Sequence, residues 1–190
     1  MKTIGIVIGV SGASGAVLGL KVVELLSGMG GFEIHLVVSD SARRTLEHEA
    51  GAGALDRLVS ASFRHYSASD IGAPIASGSY PIHGMIIAPC SMKTLAGIAS
   101  GYSDTLLVRA ADVQLKERRR LVLMARETPL HLGHLRNMCT ATEMGAIIMP
   151  PVPAFHHHPQ SVDDIVVQLA ARAIDLLALG TAPLARPWLG

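Results

Sequence analysis

The 190-residue sequence predicts a three-layer α/β fold, in which a mainly parallel sheet carries helices on both faces. Apolar residues switch repeatedly between a strand-like and a helix-like period, in alternating order along the chain. The composition is 49% hydrophobic, which at this length is enough for one buried core. We therefore expect a single domain over residues 1–190, Rossmann-like or flavodoxin-like, with a Pro-containing tail at residues 181–190.

The first half of the chain contains two clear strand–helix units. The predicted strands are residues 4–10 and 32–38, and the predicted helices run from Val17 to a stop at Gly28 and over residues 41–49. Residues 51–84 show no regular period, and residues 71–84 are typical of a loop around short elements. We assign no structure to that stretch.

The second half returns to regular alternation. The predicted strands are residues 85–88, 121–125 and 146–149, and the predicted helices are residues 93–99, 104–117, 130–144 and 161–179. Strands that alternate with helices in this way build parallel sheets, because each connection must cross back over a face of the sheet.

Charge and composition exclude several classes of function. The formal net charge is +1 with no basic stripe, so we expect no nucleic-acid partner. No apolar run approaches the ~18 residues of a membrane span. Two cysteines, Cys90 and Cys139, are too few for a disulfide framework and fit a cytoplasmic protein. A signal peptide is the competing interpretation of residues 2–10, but that run is short and leads into a glycine turn.

Polar and small residues collect where the predicted strands end. Ligands of open α/β sheets bind in the crevice beyond the carboxyl ends of the strands. The segments that follow the five strands are residues 11–15, 39–40, 89–94, 126–127 and 150–159. They contain hydroxyls, glycines and a few charges, so we expect a small-molecule site at this edge.

The first of these segments, "SGASGA" at residues 11–16, follows a strand and opens a helix. Its glycines fall at Gly12 and Gly15 after Gly9, so it is not the GxGxxG pattern of dinucleotide-binding folds. Free N–H groups, a helix N-terminus and two hydroxyls suit a phosphate or the edge of a flavin ring. A tight turn that needs small residues is an equally good interpretation.

A second group lies on the predicted helix 104–117. Arg109, Asp112 and Lys116 are spaced by three and four residues and share one face. The two cations could neutralise a phosphate while Asp112 orients one of them. A solvated helix face is the simpler interpretation of this pattern on its own.

Glu127 follows a strand, in the place where a general acid or base would lie. A carboxylate at the start of the next helix is the alternative, because acidic residues favour first turns. A metal site at His156, His157 and His158 is not expected, since consecutive side chains diverge and no further ligand completes the set. His131 and His134 also lack a third ligand.

Five segments in fixed order resemble the UbiX family of flavin prenyltransferases. They are "SGASGA", "PCSMKTLAGIASGYSD", "RAADVQLKERRRLVLMARETPLHLGHLRNM", "GAIIMPPVPAF" and "HPQSVDDIV". The resemblance extends over residues 4–177 and is most specific over residues 109–138. Related flavin-dependent cysteine decarboxylases carry a PASANT-type motif where this chain has "PCSMKT", which favours the prenyltransferase branch.

The resemblance implies an enzyme that joins the dimethylallyl group of dimethylallyl monophosphate to N5 and C6 of reduced FMN. The product, prenylated FMN, is the cofactor of UbiD-type decarboxylases, and family members form homo-oligomers, a dodecamer by resemblance. Aspartate-rich magnesium motifs are missing from the sequence, where Asp163 and Asp164 form the sole acidic pair of that kind. Lys, Arg and hydroxyl donors are therefore expected to stabilise the leaving phosphate.

Roles follow from the resemblance position by position. The positions matching FMN contacts are Gly12, Ala13, Ser14, Ser39, Ser91, Met92, Lys93, Thr94 and Arg126. The positions matching prenyl-phosphate contacts and proton transfer are Ser14, Arg109, Lys116, Glu127 and Arg172. Trp188 aligns loosely with a family tryptophan. His156 stands where the family has a phosphate-contacting Tyr, so an FMN-binding carrier or a flavin-dependent decarboxylase with altered activity is the alternative function.

Overall fold

A computed structural model describes residues 3–189 and contains a six-stranded sheet in which every strand pair is parallel. The strands are β1 (Ile4–Val10), β2 (Phe32–Val38), β3 (Arg64–Tyr66), β4 (Ile82–Cys90), β5 (Arg120–Ala125) and β6 (Ile147–Ile148). The helices are α1 (Ala16–Met29), α2 (Asp40–Ala50), α3 (Ala54–Ser60), α4 (Met92–Ser100), α5 (Leu106–Lys116), α6 (Leu132–Glu143) and α7 (Val162–Asp175). The strand order is β3-β2-β1-β4-β5-β6. The predicted three-layer α/β fold is confirmed.

Two hydrophobic clusters fill the space on either face of the sheet. One lies between the sheet and α1, α2, α3 and α7, and the other between the sheet and α4, α5 and α6. Alternate residues of β1 serve the two clusters, with Ile6 and Ile8 in the first and Val7 in the second. A strand covered on both faces needs apolar residues throughout, which explains the continuous run in residues 4–10.

The direction in which successive strands are added to the sheet changes at β1. The chain adds β2 and β3 on one side of β1, then crosses to the other side to add β4, β5 and β6. Such a switch separates neighbouring loops at the carboxyl edge and opens a crevice there. The crevice lies next to the "SGASGA" loop, between the ends of β1, β2 and β4.

The stretch without regular period, residues 51–84, contains short elements. They are α3, the three-residue β3, a 3-10 turn at Pro74–Ala76 and the start of β4 at Ile82, three residues before the predicted strand. Gly84 interrupts the apolar run because β4 and β5 approach closely there. A Cβ atom at Gly84 would lie 2.8 Å from the carbonyl oxygen of Arg120.

Helix α7 ends at Asp175, before the predicted end at residue 179. The apolar period continues because Leu177 is fully buried in the core after the helix has ended. Ala178 then adopts a left-handed conformation with φ 54°, which turns the chain away from the helix axis. The extra turn predicted from the sequence is therefore wrong, although its apolar residues do pack in the core.

His35 is a buried polar residue in the middle of β2. Its ring nitrogen Nδ1 lies 2.9 Å from the Tyr66 hydroxyl, and the rings of Phe63 and Tyr80 contact it edge-on. Burial lowers the pKa of His35 below its usual value. The unfolded chain thus takes up a proton on this residue at a higher pH than the folded protein does.

Stability is therefore expected to fall as the pH is lowered. Below about pH 6.5 the unfolded state gains a proton on His35 that the folded state does not yet bind, so the free energy of unfolding decreases. Urea unfolding at pH 7.5, 6.5 and 5.5, values that bracket the ordinary His pKa, measures this loss. His35→Gln should make it smaller, whereas the same change at exposed His48 should leave it as it is. Equal pH dependence in both variants would contradict the prediction.

Candidate functional site

A cavity of about 370 Å³ lies at the carboxyl edge of the sheet, in the crevice beside β1. Five of the predicted site residues line it: Gly12, Ser39, Ser91, Lys93 and Thr94. Ala13, Ser14 and Met92 are neighbours of these residues in the chain, and Arg126 follows β5, but none of the four is among the residues that line the cavity. The cavity lies where ligands of open α/β sheets bind, beyond the carboxyl ends of the strands, and its lining includes residues that follow β1, β2 and β4.

Two serines form helix caps on the cavity wall. The Oγ atom of Ser39 accepts a hydrogen bond from the N–H of Ala42 at 3.2 Å and begins α2. Ser91 begins α4 in the same way, since its Oγ accepts from the N–H of Thr94 at 3.3 Å. Two helix N-termini and their hydroxyls thus face one cavity, an arrangement that suits a phosphate-bearing ligand.

The segment between α4 and α5 also lines the cavity. Tyr102, Asp104 and Thr105 contribute to its wall. Sequence reasoning missed these residues because they join two helices and do not follow a strand. The Thr105 hydroxyl caps α5 by accepting a hydrogen bond from the N–H of Val108 at 3.4 Å.

The start of α1 differs from the expectation of free N–H groups. The Glu49 carboxylate accepts hydrogen bonds from the N–H groups of Gly15, at 2.9 Å, and Ala16, at 2.7 Å. A negative charge in the chain itself therefore occupies the positive end of this helix. No sequence pattern connects Glu49 with this loop, because it lies 34 residues from Gly15 on another helix.

Gly12 is needed where the loop passes over α2. A Cβ atom on Gly12 would lie 2.2 Å from the Oγ atom of Ser41. That distance leaves no room for any side chain, so the glycine lets the loop after β1 approach α2 closely. The interpretation of "SGASGA" as a turn requiring small residues is correct for this position.

The predicted polar face of α5 exists as a narrow stripe. Every residue from Leu106 to Leu115 is buried except Arg109 and Asp112, which form an ion pair with 2.7 Å between Nη1 and Oδ2. Lys116 ends the stripe and pairs with Glu117. Because α5 begins at the cavity and rises ~1.5 Å per residue, Lys116 lies roughly 15 Å further along the helix axis. The structure does not bring Lys116 to the cavity of its own chain.

Arg126 and Glu127 leave the end of β5 beside this edge. The N–H of Arg126 donates to the carbonyl of Cys90 at 3.0 Å, which ties the segment to β4. Glu127 is exposed, and its Oε1 accepts from the N–H of Thr128 at 3.0 Å. Helix α6 is capped by His131, so the alternative role of Glu127 as a helix-start carboxylate is wrong.

A second, larger cavity of about 940 Å³ lies between α7, the loop after β6 and the C-terminal tail. It brings together His156, Arg172 and Trp188, which are far apart in sequence. The His156 ring meets the Trp188 indole edge-on, with 4.8 Å between ring centroids. The tail therefore brings Trp188 into contact with the loop after β6.

Hydrogen bonds hold the tail against α7. The Asp175 carboxylate accepts from the N–H groups of Leu184, at 2.8 Å, and Ala185, at 3.0 Å. The Gln168 amide oxygen accepts from the N–H of Arg186 at 3.0 Å. These three bonds fix the path of residues 184–186 and so place Trp188 in the cavity.

His157 lies beside this tail. Its Nε2 is 3.2 Å from the Gln168 amide nitrogen, which is a hydrogen bond only when that ring nitrogen carries no proton. Desolvation, the neighbouring His156 and Arg186 lower the pKa of His157. The neutral form is the one that fits the observed contact.

Within residues 3–189, His, Cys, Asp and Glu side chains form no group of three or more that could hold a metal ion. None of the helices described there combines the length and apolar character needed to cross a bilayer.

Comparison with known proteins gives a consistent result. The Flavoprotein family matches residues 1–173. The flavin prenyltransferase UbiX of Salmonella typhimurium is 53% identical over 170 residues, which cover 90% of this chain and 89% of that protein. The family match includes every residue that lines the cavity beside β1 and ends before the tail residues that line the second cavity.

Solved structures share the whole fold. A crystal structure of AnUbiX (PadA1) in complex with FMN and dimethylallyl pyrophosphate is 45% identical with a TM-score of 0.93, covering 99% of this chain and 98% of that one. A dodecameric FMN-dependent UbiX-like decarboxylase from Escherichia coli O157:H7 has the same identity and TM-score, covering 98% of this chain and 100% of that one. The chain described here therefore belongs to the UbiX family of flavin prenyltransferases, within the flavoproteins.

Proposed function

We infer that this chain is a flavin prenyltransferase, which transfers a dimethylallyl group to reduced FMN. The carbon–oxygen bond of the prenyl phosphate breaks as the allyl group joins N5 of the flavin, N5 gives up its proton, and inorganic phosphate leaves. The alkene then adds to C6: its π bond is used for the new bond, C6 loses a proton and the other alkene carbon takes one up. The observation that carries this inference is the hydroxyl-lined cavity beside β1 in a chain of this family. An electron-rich reduced flavin stabilises positive charge that develops on the allyl group, as aromatic faces do for cations.

We propose that FMN binds in the cavity beside β1. Its phosphate and hydroxyl groups would be held by Gly12, Ser39, Ser91, Lys93 and Thr94, which line the cavity. Ala13, Ser14 and Met92 would contact it from the same segments, and Arg126 from the segment after β5. The size of the cavity, about 370 Å³, and the two helix N-termini on its wall support this assignment.

The proposed donor is dimethylallyl monophosphate, held by Arg109, Lys116, His156 and Arg172. Within one chain these residues are split between the stripe on α5 and the cavity beside the tail. We therefore propose a homo-oligomer, a dodecamer like the Escherichia coli relative, in which neighbouring copies complete each donor site. Exposed Leu132, Phe155 and Val162 offer apolar surface for such contacts.

We further propose that the chain is a single flavoprotein domain, supported by one sheet with a core on each face. It works in the cytoplasm, which agrees with free Cys90 and Cys139. A UbiD-type decarboxylase receives the product. A flavin-binding carrier or a direct decarboxylase is not favoured, because the chain matches flavin prenyltransferases at about half of all positions.

Absorbance spectroscopy under anaerobic conditions tests the function. Reduced FMN and the donor are mixed with the protein, and the spectrum is followed with a donor-free sample beside it. A prenyltransferase changes the flavin spectrum only when the donor is present. A carrier leaves identical spectra in the two samples, and that outcome would contradict the inference. Running the diphosphate donor in parallel shows whether the monophosphate is preferred.

Turnover is expected to need no metal ion. The proposed phosphate partners are Lys, Arg and hydroxyl groups, and residues 3–189 contain no group of ligands that could hold a metal. Treatment with a chelator should leave FMN bound and the rate unchanged. Loss of activity on chelation, restored by one divalent ion, would contradict this prediction.

His156→Ala is expected to raise the Michaelis constant for the donor. A ring N–H of His156 can donate a hydrogen bond to the donor phosphate, and alanine offers no such group, whereas the phenol of His156→Tyr does. We therefore expect the Michaelis constant to rise in His156→Ala and not in His156→Tyr. Steady-state kinetics of the parent and the two variants measure this. Matching constants in all three proteins would show that His156 does not contact the phosphate.

A further inference from the structure

Ser11 is a buried polar residue at the junction of three strand ends. Its side chain is 1% exposed, and it lies where β1 turns into the loop that lines the cavity. The Ser11 hydroxyl donates to the carbonyl of Pro89 at 2.8 Å and accepts from the N–H of Ser91 at 2.7 Å. The first bond is buried and the second is partly buried, and they join residues 78 and 80 positions apart in the sequence.

Backbone hydrogen bonds extend this junction across the sheet edge. The N–H of Ser39 donates to Val10 at 3.0 Å, and the N–H of Ser11 donates to Pro89 at 3.2 Å. On the far side of β4, the N–H of Arg126 donates to Cys90 at 3.0 Å. The ends of β2, β1, β4 and β5 are thereby connected in one row.

The regular backbone hydrogen bonds between strands are interrupted at Pro89 of β4. Pro89 has no N–H to donate, and the pairing of β4 with β5 shifts register between Ile87 and Cys90. The Ser11 hydroxyl gives the Ser91 N–H an acceptor and adds a second hydrogen bond to the Pro89 carbonyl, which also accepts from the Ser11 N–H. Pro89 and Ser91 lie on either side of Cys90.

Ser91 is also the residue that caps α4. Its hydroxyl accepts from the N–H of Thr94 and donates to the Thr94 hydroxyl at 3.1 Å. The bond from Ser11 holds the backbone of Ser91, so it sets where α4 starts relative to β1. Lys93 and Thr94, on the first turn of α4, line the same cavity as Ser11.

We propose that Ser11 is a positioning residue for flavin binding: through Pro89 and Ser91 it fixes the start of α4 against the loop after β1. This inference rests on the proposed function, since it takes FMN as the occupant of the cavity. Ser11 itself need not touch the flavin. Its effect is to keep the N-terminus of α4 and the "SGASGA" loop at one fixed separation.

Ser11→Ala removes both bonds without adding bulk and tests the proposal. We expect the dissociation constant for oxidised FMN, measured by flavin fluorescence, to rise about tenfold, the scale of one or two lost hydrogen bonds. The rate at saturating FMN should change much less than the dissociation constant, because the reacting groups are intact. Ser11→Cys keeps a weak donor and should give a smaller rise.

Ser62→Ala provides the matched control. The Ser62 hydroxyl donates to the carbonyl of Leu58 at 2.7 Å, after α3 at the opposite edge of the sheet. The Ser62→Ala variant should have a lower melting temperature than the parent and the same FMN affinity. If both Ser11 variants bind FMN as tightly as the parent, or if their affinity falls no more than in Ser62→Ala, the positioning role is overturned. Failure of the parent protein to bind FMN at all would instead overturn the proposed function.

Discussion

Glu127→Gln is expected to reduce turnover by about a hundredfold or more while FMN binding persists. A positioned general acid or base contributes roughly 10²- to 10⁴-fold, and the amide keeps the shape of the side chain but cannot exchange a proton. Glu127 is free for this role because it does not cap α6 and its carboxylate meets only the N–H of Thr128 among the described residues. Single-turnover rates and FMN affinity are the two quantities to measure.

The exposed Glu143 at the end of α6 is a suitable control. Glu143→Gln makes the same carboxylate-to-amide change on the last turn of α6 and should leave the rate unchanged. If Glu127→Gln instead loses FMN while its rate at saturating flavin stays normal, the residue is a binding group rather than an acid or base.

Lys116→Gln should lower the rate by about a hundredfold, because a cation that stabilises a leaving phosphate acts where negative charge develops. The exposed Arg120, four residues further on, allows a matched loss of charge. Arg120→Gln keeps the backbone pairing of β5 and is expected to turn over normally. The steady-state rates of Lys116→Gln and Arg120→Gln test this prediction. Equal rates would show that Lys116 does not stabilise the leaving phosphate.

The position of Lys116 allows a sharper test of site sharing. It lies roughly 15 Å along α5 from the cavity, so its partner residues are expected on another copy. Co-expressed Lys116→Gln and Glu127→Gln chains should then form mixed oligomers that recover part of the parent activity, since some sites receive both intact residues. Inactive mixed oligomers would place Lys116 and Glu127 of each site on the same chain.

Strong periodicity made the main elements predictable. The apolar run at residues 4–10 carries its own signal, because strands covered on both faces tolerate few polar residues, and residues 32–38 remain mostly apolar despite Glu33 and His35. The three-residue β3 is too short to show a period. The start of β4 was missed because Gly84 interrupts its apolar run, and that glycine is required by a close approach to Arg120. This contact joins two distant parts of the chain, so a short stretch of sequence does not reveal it.

The candidate site was predictable where it follows strands and not elsewhere. Ser39 and Ser91 lie directly after strands and line the cavity, as the strand-end rule predicts. Glu49 lies on α2, and Tyr102 lies between α4 and α5. Neither follows a strand, so no local sequence pattern predicts its place at the site. The separation of Lys116 from the cavity also escapes the sequence, because a shared helix face says nothing about which end of the helix meets a ligand.

The mass of the flavin after anaerobic incubation with reduced FMN and dimethylallyl monophosphate is the most direct test of prenyl transfer. The flavin is released from the protein and analysed by mass spectrometry, with inorganic phosphate measured in the same sample. We expect the flavin to gain the mass of one dimethylallyl unit and one phosphate to be released for each flavin modified. Flavin of unchanged mass, in a protein that binds FMN and stays folded, would contradict the assignment of this chain as a flavin prenyltransferase.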